Sequence, residues 1–336
     1  MPPIRDVMPA FELFQPASVS DALGVLNRHG ADAWVMAGGN DTFDWLKDRI
    51  KKPKVVVDLS MINELHGIKD AGGGLEIGAT TTLTTIANNP MVKERFPMLA
   101  QAALLVASPQ IRNVSTVGGN VSQDARCWYY RAGWPCYRAG GNICYADTPT
   151  SINREHALFG ADRCVAVNPS DTAPALVALD AQFVIKNGDA ERVVSAEEFF
   201  IGPGIDITKL TSLQPGDLLT AIRIPSTFAG KAHFFEKVRD RQVWDFALVN
   251  IAASFNMSGA SIGEARMVVN GVAATPYRLN AVEAFLRGKS RDKATAEAAA
   301  DMAVEGAVPL KHNAYKIPLM KALVKRAIRG DAEWTS

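Results

Sequence analysis

The chain of 336 residues holds only four cysteines and five histidines. So few thiols in a long sequence that is 48% hydrophobic exclude the disulfide-dense frameworks of small secreted proteins, which lack an adequate core. No apolar run approaches membrane-spanning length, and the start, Met1-Pro2-Pro3-Ile4-Arg5-Asp6, has no apolar signal core. The expectation is a cytoplasmic protein with no membrane partner, periplasmic only by co-export with a partner. A net charge of +1 gives no electrostatic reason for a nucleic-acid partner. Neither the G-x-G-x-x-G fingerprint nor a G-x-x-x-x-G-K-S/T loop occurs, so a Rossmann site and a P-loop are not indicated. His29, His66, His156, His233 and His312 form no local catalytic motif, and no repeat period is visible.

The scarce cysteines are concentrated. Cys127, Cys136, Cys144 and Cys164 all fall within residues 116–171, spaced C-x8-C-x7-C-x19-C with no C-x2-C pair. Structural zinc prefers closely spaced ligand pairs, and His156 is the one histidine in the segment. An iron–sulfur cluster needs four converging thiolates, which irregular loops deliver when their flanks are rigid. Gly133, Pro135, Gly140, Gly141 and Pro149 make the segment loop-like. Disulfides and four unrelated thiols are the other readings, the last leaving the clustering unexplained.

Ahead of the cysteines, two similar glycine turns punctuate the chain. Residues 18–29 read as a capped helix stopped by Gly30, and 34–37 as a buried strand running into Gly38-Gly39-Asn40-Asp41. A helix capped by Asn40 or Asp41 follows, with Trp45, Leu46 and Ile50 inward. A strand that delivers a Gly-Gly turn to a helix start presents free backbone N–H groups, and lack of Cβ lets an anion approach them. Residues 54–59 and 75–80 read as strands, and 83–87 and 97–106 as helices, with Met98, Leu99 and Leu105 as core. A strand-like run at 112–116 leads to the second turn, Gly118-Gly119-Asn120.

After the cysteines, residues 163–167 read as a strand, Asp171 as the cap of a helix over 173–179, and 181–185 as a strand with a hairpin turn at Asn187-Gly188. Residues 202–216 form a polar loop, 218–224 a strand, and 225–230 a linker. The last third differs in texture: strands at 234–238, 246–255 and 265–272 imply an antiparallel sheet, backed by helices at 281–286, 295–304 and 315–328. Lys321, Lys325, Arg326 and Arg329 mark a solvated face on the last helix.

With these pieces in order, the sequence resembles the FAD-binding medium subunits of molybdenum hydroxylases, the xanthine dehydrogenase, carbon monoxide dehydrogenase and aldehyde oxidoreductase family. Ala37-Gly38-Gly39-Asn40-Asp41 resembles that family's first flavin pyrophosphate turn, and Thr116-Val117-Gly118-Gly119-Asn120 its second. Ser170-Asp171 resembles a downstream Ser-Asp whose carboxylate contacts the ribityl region, and Lys237-Val238-Arg239 with Asp245-Phe246-Ala247 the start of the carboxy-terminal domain. The resemblance covers nearly the whole chain. It implies an α+β fold: a two-lobed FAD-binding domain of the vanillyl-alcohol-oxidase (PCMH-like) kind, lobes at 1–57 and 58–226, then a smaller carboxy-terminal domain at 230–336 with an antiparallel sheet and helices.

Most members run directly from the second glycine turn to the Ser-Asp element, whereas this chain interposes a loop at 125–165. In this it is similar to a smaller group with an extra 4Fe-4S cluster, which includes heterotrimeric aldehyde oxidoreductases and 4-hydroxybenzoyl-CoA reductase. The resemblance implies Cys127, Cys136, Cys144 and Cys164 as cluster ligands, and Ala37, Gly38, Gly39, Asn40, Asp41, Thr116, Gly118, Gly119, Asn120, Asp171 and Lys237 at the FAD site. It further implies a small subunit with two 2Fe-2S centres, a large subunit with the molybdopterin cofactor, and an external electron acceptor. In this expectation the subunit passes electrons and does not touch the organic substrate, an aldehyde in the first instance. A 4-hydroxybenzoyl-CoA-reductase-like subunit, a self-sufficient flavin oxidase and a zinc-stabilised module are the alternatives. Many relatives have an apolar or small residue where this chain has Asp41 and Thr42. Trp128, Tyr129, Tyr130 and Trp134 stand near the thiols as a shield from water or as ordinary loop packing, and Trp244 as a cover for the flavin ring or as core.

Overall fold

A computed structural model describes residues 8–330; the start of the chain, Met1 to Val7, and the last six residues lie outside the described part. The first sheet is parallel, β1 (Glu12–Phe14), β2 (Ala33–Met36) and β3 (Val55–Asp58) in the order β1-β3-β2. Its central strand is buried throughout, as a continuous apolar run requires. The helix Val19–His29 starts where the Ser18 side chain accepts the Asp21 N–H, and lays Ala22, Leu23 and Leu26 on this sheet.

The second sheet is antiparallel, comprising β4 (Ile68–Ala71), β5 (Gly74–Gly78), β6 (Gln182–Asn187), β7 (Ala190–Ser195) and β8 (Leu218–Ile224), ordered β4-β5-β8-β6-β7. A run of short helices covers it: Leu83–Asn88, Pro90–Arg95, Pro97–Leu104 and Pro109–Val114. Three of these begin with proline, whose fixed φ and missing N–H suit the first helical position. The run 112–116, expected to be strand-like, therefore belongs largely to a helix, because Ser108 caps it and Pro109 starts it.

The third sheet contains β9 (Ala232–Val238), β10 (Val249–Ser258), β11 (Ser261–Asn270) and β12 (Tyr277–Arg278), antiparallel in the order β12-β11-β10-β9. Its helices are Asn280–Leu286, Lys293–Met302 and Lys316–Arg329. Strand β10 is buried on both faces: Ala252 joins the core shared with the second sheet, while Ile251, Ala253 and Phe255 join the core under the carboxy-terminal helices. The small residues of this strand admit the helix Ala173–Ala178 on one side. On the last helix, Lys321 pairs with Asp301 and Arg326 with Glu236, at 2.7 and 2.8 Å.

Three further expectations change. Residues 163–167 are irregular: Arg163 has φ +57°, and only scattered bonds such as Ala157 N–H to Val165 O tie the run down. Asp171 does not cap the following helix; the Ser170 hydroxyl accepts the Ala173 N–H instead, at 3.1 Å. The strand expected from residue 246 begins at Val249, since residues 246–248 lie along a cleft.

Candidate cofactor cleft and cysteine segment

Both glycine turns line one cleft of about 560 Å³. The first follows β2, with Gly39 at φ +76°, a region that glycine enters without cost. A Cβ on Gly38 would lie 2.1 Å from the Val114 carbonyl oxygen, so only glycine lets the two segments touch. Asn40 donates to the Ser115 hydroxyl at 2.7 Å, binding the first turn to the second. The second glycine pair adopts a different backbone from the one expected. Gly118 and Gly119 lie in the first turn of the helix Val117–Ser122, capped by the Thr116 hydroxyl, which accepts the Gly119 N–H at 3.1 Å. Gly118 packs on Ala79, where a Cβ would stand 2.8 Å from the carbonyl oxygen.

Behind these turns lies a polar floor. The Asn120 side-chain oxygen accepts from the Ser170 and Thr172 hydroxyls, each at 2.6 Å. The Asp171 carboxylate accepts from Lys237 Nζ at 2.5 Å and Asn250 Nδ2 at 3.2 Å. Burial pushes its carboxyl above the usual range, and Lys237 only partly opposes this. Ala37, Gly38, Gly39, Asn40, Asp41, Thr116, Gly118, Gly119, Asn120 and Asp171 all border the cleft. Lys237 does not: it is buried under Asp171 and also donates to the carbonyls of Leu105 and Asp245, at 3.1 and 2.7 Å. Its place is that of a support for the floor.

Asp41 has its own partners. Its carboxylate accepts from Trp45 Nε1, the Asp124 N–H and Arg131, at 3.1, 3.1 and 2.7 Å, and pairs with Arg126 at 3.0 Å. Four donors on one carboxylate make Asp41 the anchor of the segment that opens the cysteine loop. Beside it Asp124 pairs with Arg138, which is almost fully buried and also donates to the Ile207 carbonyl at 2.9 Å. Burial acts to raise Asp124, but Arg138 and Lys51 beside it hold the carboxyl below its ordinary value. Sequence reading missed Asp124, Arg126, Arg131 and Arg138; the one signal for them was the unusual acid at position 41.

The four cysteines are free thiols that converge on one region. Burial pushes Cys127 up to about 11, with Cys164 and Cys144 near enough to add to the rise; burial also raises Cys164, with Cys144 and Cys136 adding to it. Cys136 is buried and packs with Cys127, Cys164, Tyr145 and Tyr130. No three His, Cys, Asp or Glu side chains among the described residues stand close enough to hold a single metal ion. A multi-iron cluster spreads its thiolates more widely than one ion does, and an all-sulfur donor set suits it. Tyr129, Trp134 and Tyr145 form one aromatic group beside the thiols, with Trp134 and Tyr145 centroids 4.7 Å apart, whereas Trp128 is 63% exposed. Tyr130 packs on Trp45 at 5.3 Å.

A second chamber of about 530 Å³ continues the cleft past Arg126, Asp171, Trp244 and Phe246 to Cys127 and His156. Trp244 is 61% exposed with φ +58°, on the wall of both chambers and not in the core. Burial, with help from Lys316, pulls His156 down to about 4, so its ring is neutral at pH 7.

A parallel lobe, an antiparallel lobe and a glycine-lined cleft between them are the architecture of a protein that holds an extended, dinucleotide-type cofactor, with a further sheet domain closing the floor. Residues 9–227 match the family described as FAD binding domain in molybdopterin dehydrogenase, and residues 233–330 the CO dehydrogenase flavoprotein C-terminal domain. The chain is 30% identical to the carbon monoxide dehydrogenase medium chain of Hydrogenophaga pseudoflava, over 98% of both. It is 34% identical to the aldehyde oxidoreductase FAD-binding subunit PaoB of Escherichia coli, over 85% of this chain and 87% of that one. A solved carbon monoxide dehydrogenase from Hydrogenophaga pseudoflava superposes with a TM-score of 0.75 at 30% identity, covering 96% of this chain and 97% of that one. The chain therefore belongs to the FAD-binding medium subunits of the molybdenum hydroxylase family, an oxidoreductase family. No helix of the described residues is long and apolar enough to cross a membrane.

Proposed function

We propose that this chain is the FAD-binding electron-transfer subunit of a heterotrimeric molybdenum hydroxylase that oxidises an aldehyde, and that it carries an additional 4Fe-4S cluster. The observation that supports the cofactor site most directly is the Asn40–Ser115 bond, which brings both Gly-Gly-Asn segments to one cleft. Bound FAD supplies the two-electron to one-electron exchange between a partner's molybdenum and 2Fe-2S centres and an external acceptor. Backbone N–H groups of Gly38 and Gly39 face the pyrophosphate in this reading, at a point where a Cβ on Gly38 would collide with Val114. The Gly118 and Gly119 N–H groups are taken by the Ala79 carbonyl and the Thr116 hydroxyl, so the second pair contributes a helix start without Cβ atoms. Asn120 and Asp171 hold the floor against the rest of the cofactor, and Lys237 braces Asp171 from below.

Cys127, Cys136, Cys144 and Cys164 are the cluster's thiolates in this reading. The all-sulfur set, the convergence of the four thiols and the rigid Asp41 anchor support it. The similarity to an aldehyde oxidoreductase subunit supports the substrate class. The small 2Fe-2S subunit and the large molybdopterin subunit are the partners. The test is anaerobic co-purification with co-expressed partner subunits, followed by flavin, iron and sulfide quantitation. One FAD with four irons, and loss of the irons but not the FAD in Cys144→Ser, is the expected result. FAD without iron in the wild-type complex would remove the cluster, and an isolated chain that turns over substrate alone would replace the electron-transfer role with that of an oxidase.

A further inference from the structure

Of the four cysteines, Cys127 alone lines the chamber that continues the cofactor cleft. Against it stands His156, whose Nε2 lies 3.3 Å from the Cys127 sulfur. The imidazole is 3% exposed, and its other nitrogen, Nδ1, is buried with no hydrogen-bond partner. Buried polar atoms are almost always paired, so a ring that leaves one nitrogen bare has its position set by what the other nitrogen meets. The backbone fixes that position from outside the loop. The His156 carbonyl accepts from Asn313 Nδ2 and Lys316 Nζ, at 3.0 and 3.1 Å, and its N–H bonds to the Asn153 carbonyl at 3.2 Å. Lys316 and Asn313 belong to the carboxy-terminal third, so that part of the chain holds the histidine against the sulfur.

A thiolate is an acceptor only, so a ring nitrogen in contact with it has to carry the proton. If Cys127 ligates iron, the contact requires the proton on Nε2. We propose that His156 is a positioning residue for the cysteine site, donating Nε2–H to the Cys127 sulfur and orienting it as the thiolate that faces the flavin cleft. This inference rests on the cluster reading above. A hydrogen bond to a ligand sulfur stabilises the more negative, reduced form of a cluster and raises its reduction potential. His156 thereby biases the one-electron exchange between cluster and flavin without touching either group.

The test compares His156→Leu, which removes the donor, with His156→Gln, whose side-chain N–H reaches about as far as Nε2. Both are made in the co-expressed complex; FAD, iron and sulfide are quantified, and the cluster's midpoint is followed by EPR during a reductive titration. The expected result is full iron and FAD in both, a lower midpoint in the Leu variant, and recovery towards wild type in the Gln variant. Iron lost in the Leu variant but kept in the Gln variant also supports the donor. Unchanged midpoints with full iron would overturn the inference and leave the cluster intact, and iron lost in both would reduce His156 to packing. A wild-type complex without iron would instead overturn the cluster reading itself, and this inference with it.

Discussion

The cofactor cleft and the cysteine segment share a wall, but different forces hold them. Above its side-chain floor the cleft wall is made of backbone: a strand end, two glycine pairs, a helix start and one amide-to-hydroxyl bond across them. The cysteine segment has, apart from a helical turn at Trp128–Arg131, almost no regular structure, and it hangs from two carboxylates, Asp41 and Asp124, through three arginines. Backbone contacts are set by excluded volume and do not titrate, whereas ion pairs depend on both partners keeping their charge. Damage to the two regions should therefore separate.

The largest expected effect is that of Asp124→Ala. It strands Arg138, whose side chain is 2% exposed, and removing one partner of such a pair costs roughly 3–5 kcal/mol. Chemical denaturation of the chain checks the cost, and hydrogen exchange should show protection lost first at residues 124–145. Gly38→Ala ranks next: its methyl would stand 2.1 Å from a backbone oxygen, and the forced shift should cost about 3 kcal/mol and empty the cleft of FAD. Flavin absorbance after gel filtration reads this directly, and any bound iron should survive. Asp41→Ala should cost about 2 kcal/mol and make residues 124–131 sensitive to proteolysis while FAD stays bound. Loss of FAD with an intact loop would show that Asp41 serves the cofactor instead. Arg154→Ala, at an exposed pair with Asp240, should change stability by about 0.5 kcal/mol or less.

Acid offers a sharper comparison. Asp124 has its carboxyl held below 3.8, so its contribution is complete above that value and is lost as pH falls through the lower, folded-state value. Asp171 in the cleft floor works in the opposite sense, since its carboxyl is raised above 3.8 and acid relieves its burial cost. Exchange measured from pH 5 downward should show the cysteine segment loosening before the cleft floor. The reverse order would mean that Lys237 contributes more to the floor than Arg138 does to the loop.

Local chemistry was legible along much of the chain. Ser18, the apolar run over β3, the Asn187-Gly188 turn and the alternating strands of the last third each declare their element through short-range rules, and the structure has them in place. The identical Gly-Gly-Asn triplets were legible as cofactor turns by resemblance, but their backbones were not: Thr116 makes the second a helix start, whereas β2 makes the first a strand end. Residues 163–167 read as a strand by composition and are not one, because a strand exists only where a partner edge is offered.

What the sequence determined by itself is the set of local elements, the family likeness and the clustering of four thiols, because each depends on residues near one another in the chain. Only the tertiary structure decided that Asp41 faces the arginines of a loop 83 to 90 residues away, that Lys237 supports the floor instead of lining the cleft, and that His156 meets Cys127 across 29 residues. These pairings follow from how three sheets and their helices fill space. Long-range contacts of that kind leave no periodicity in the sequence to read.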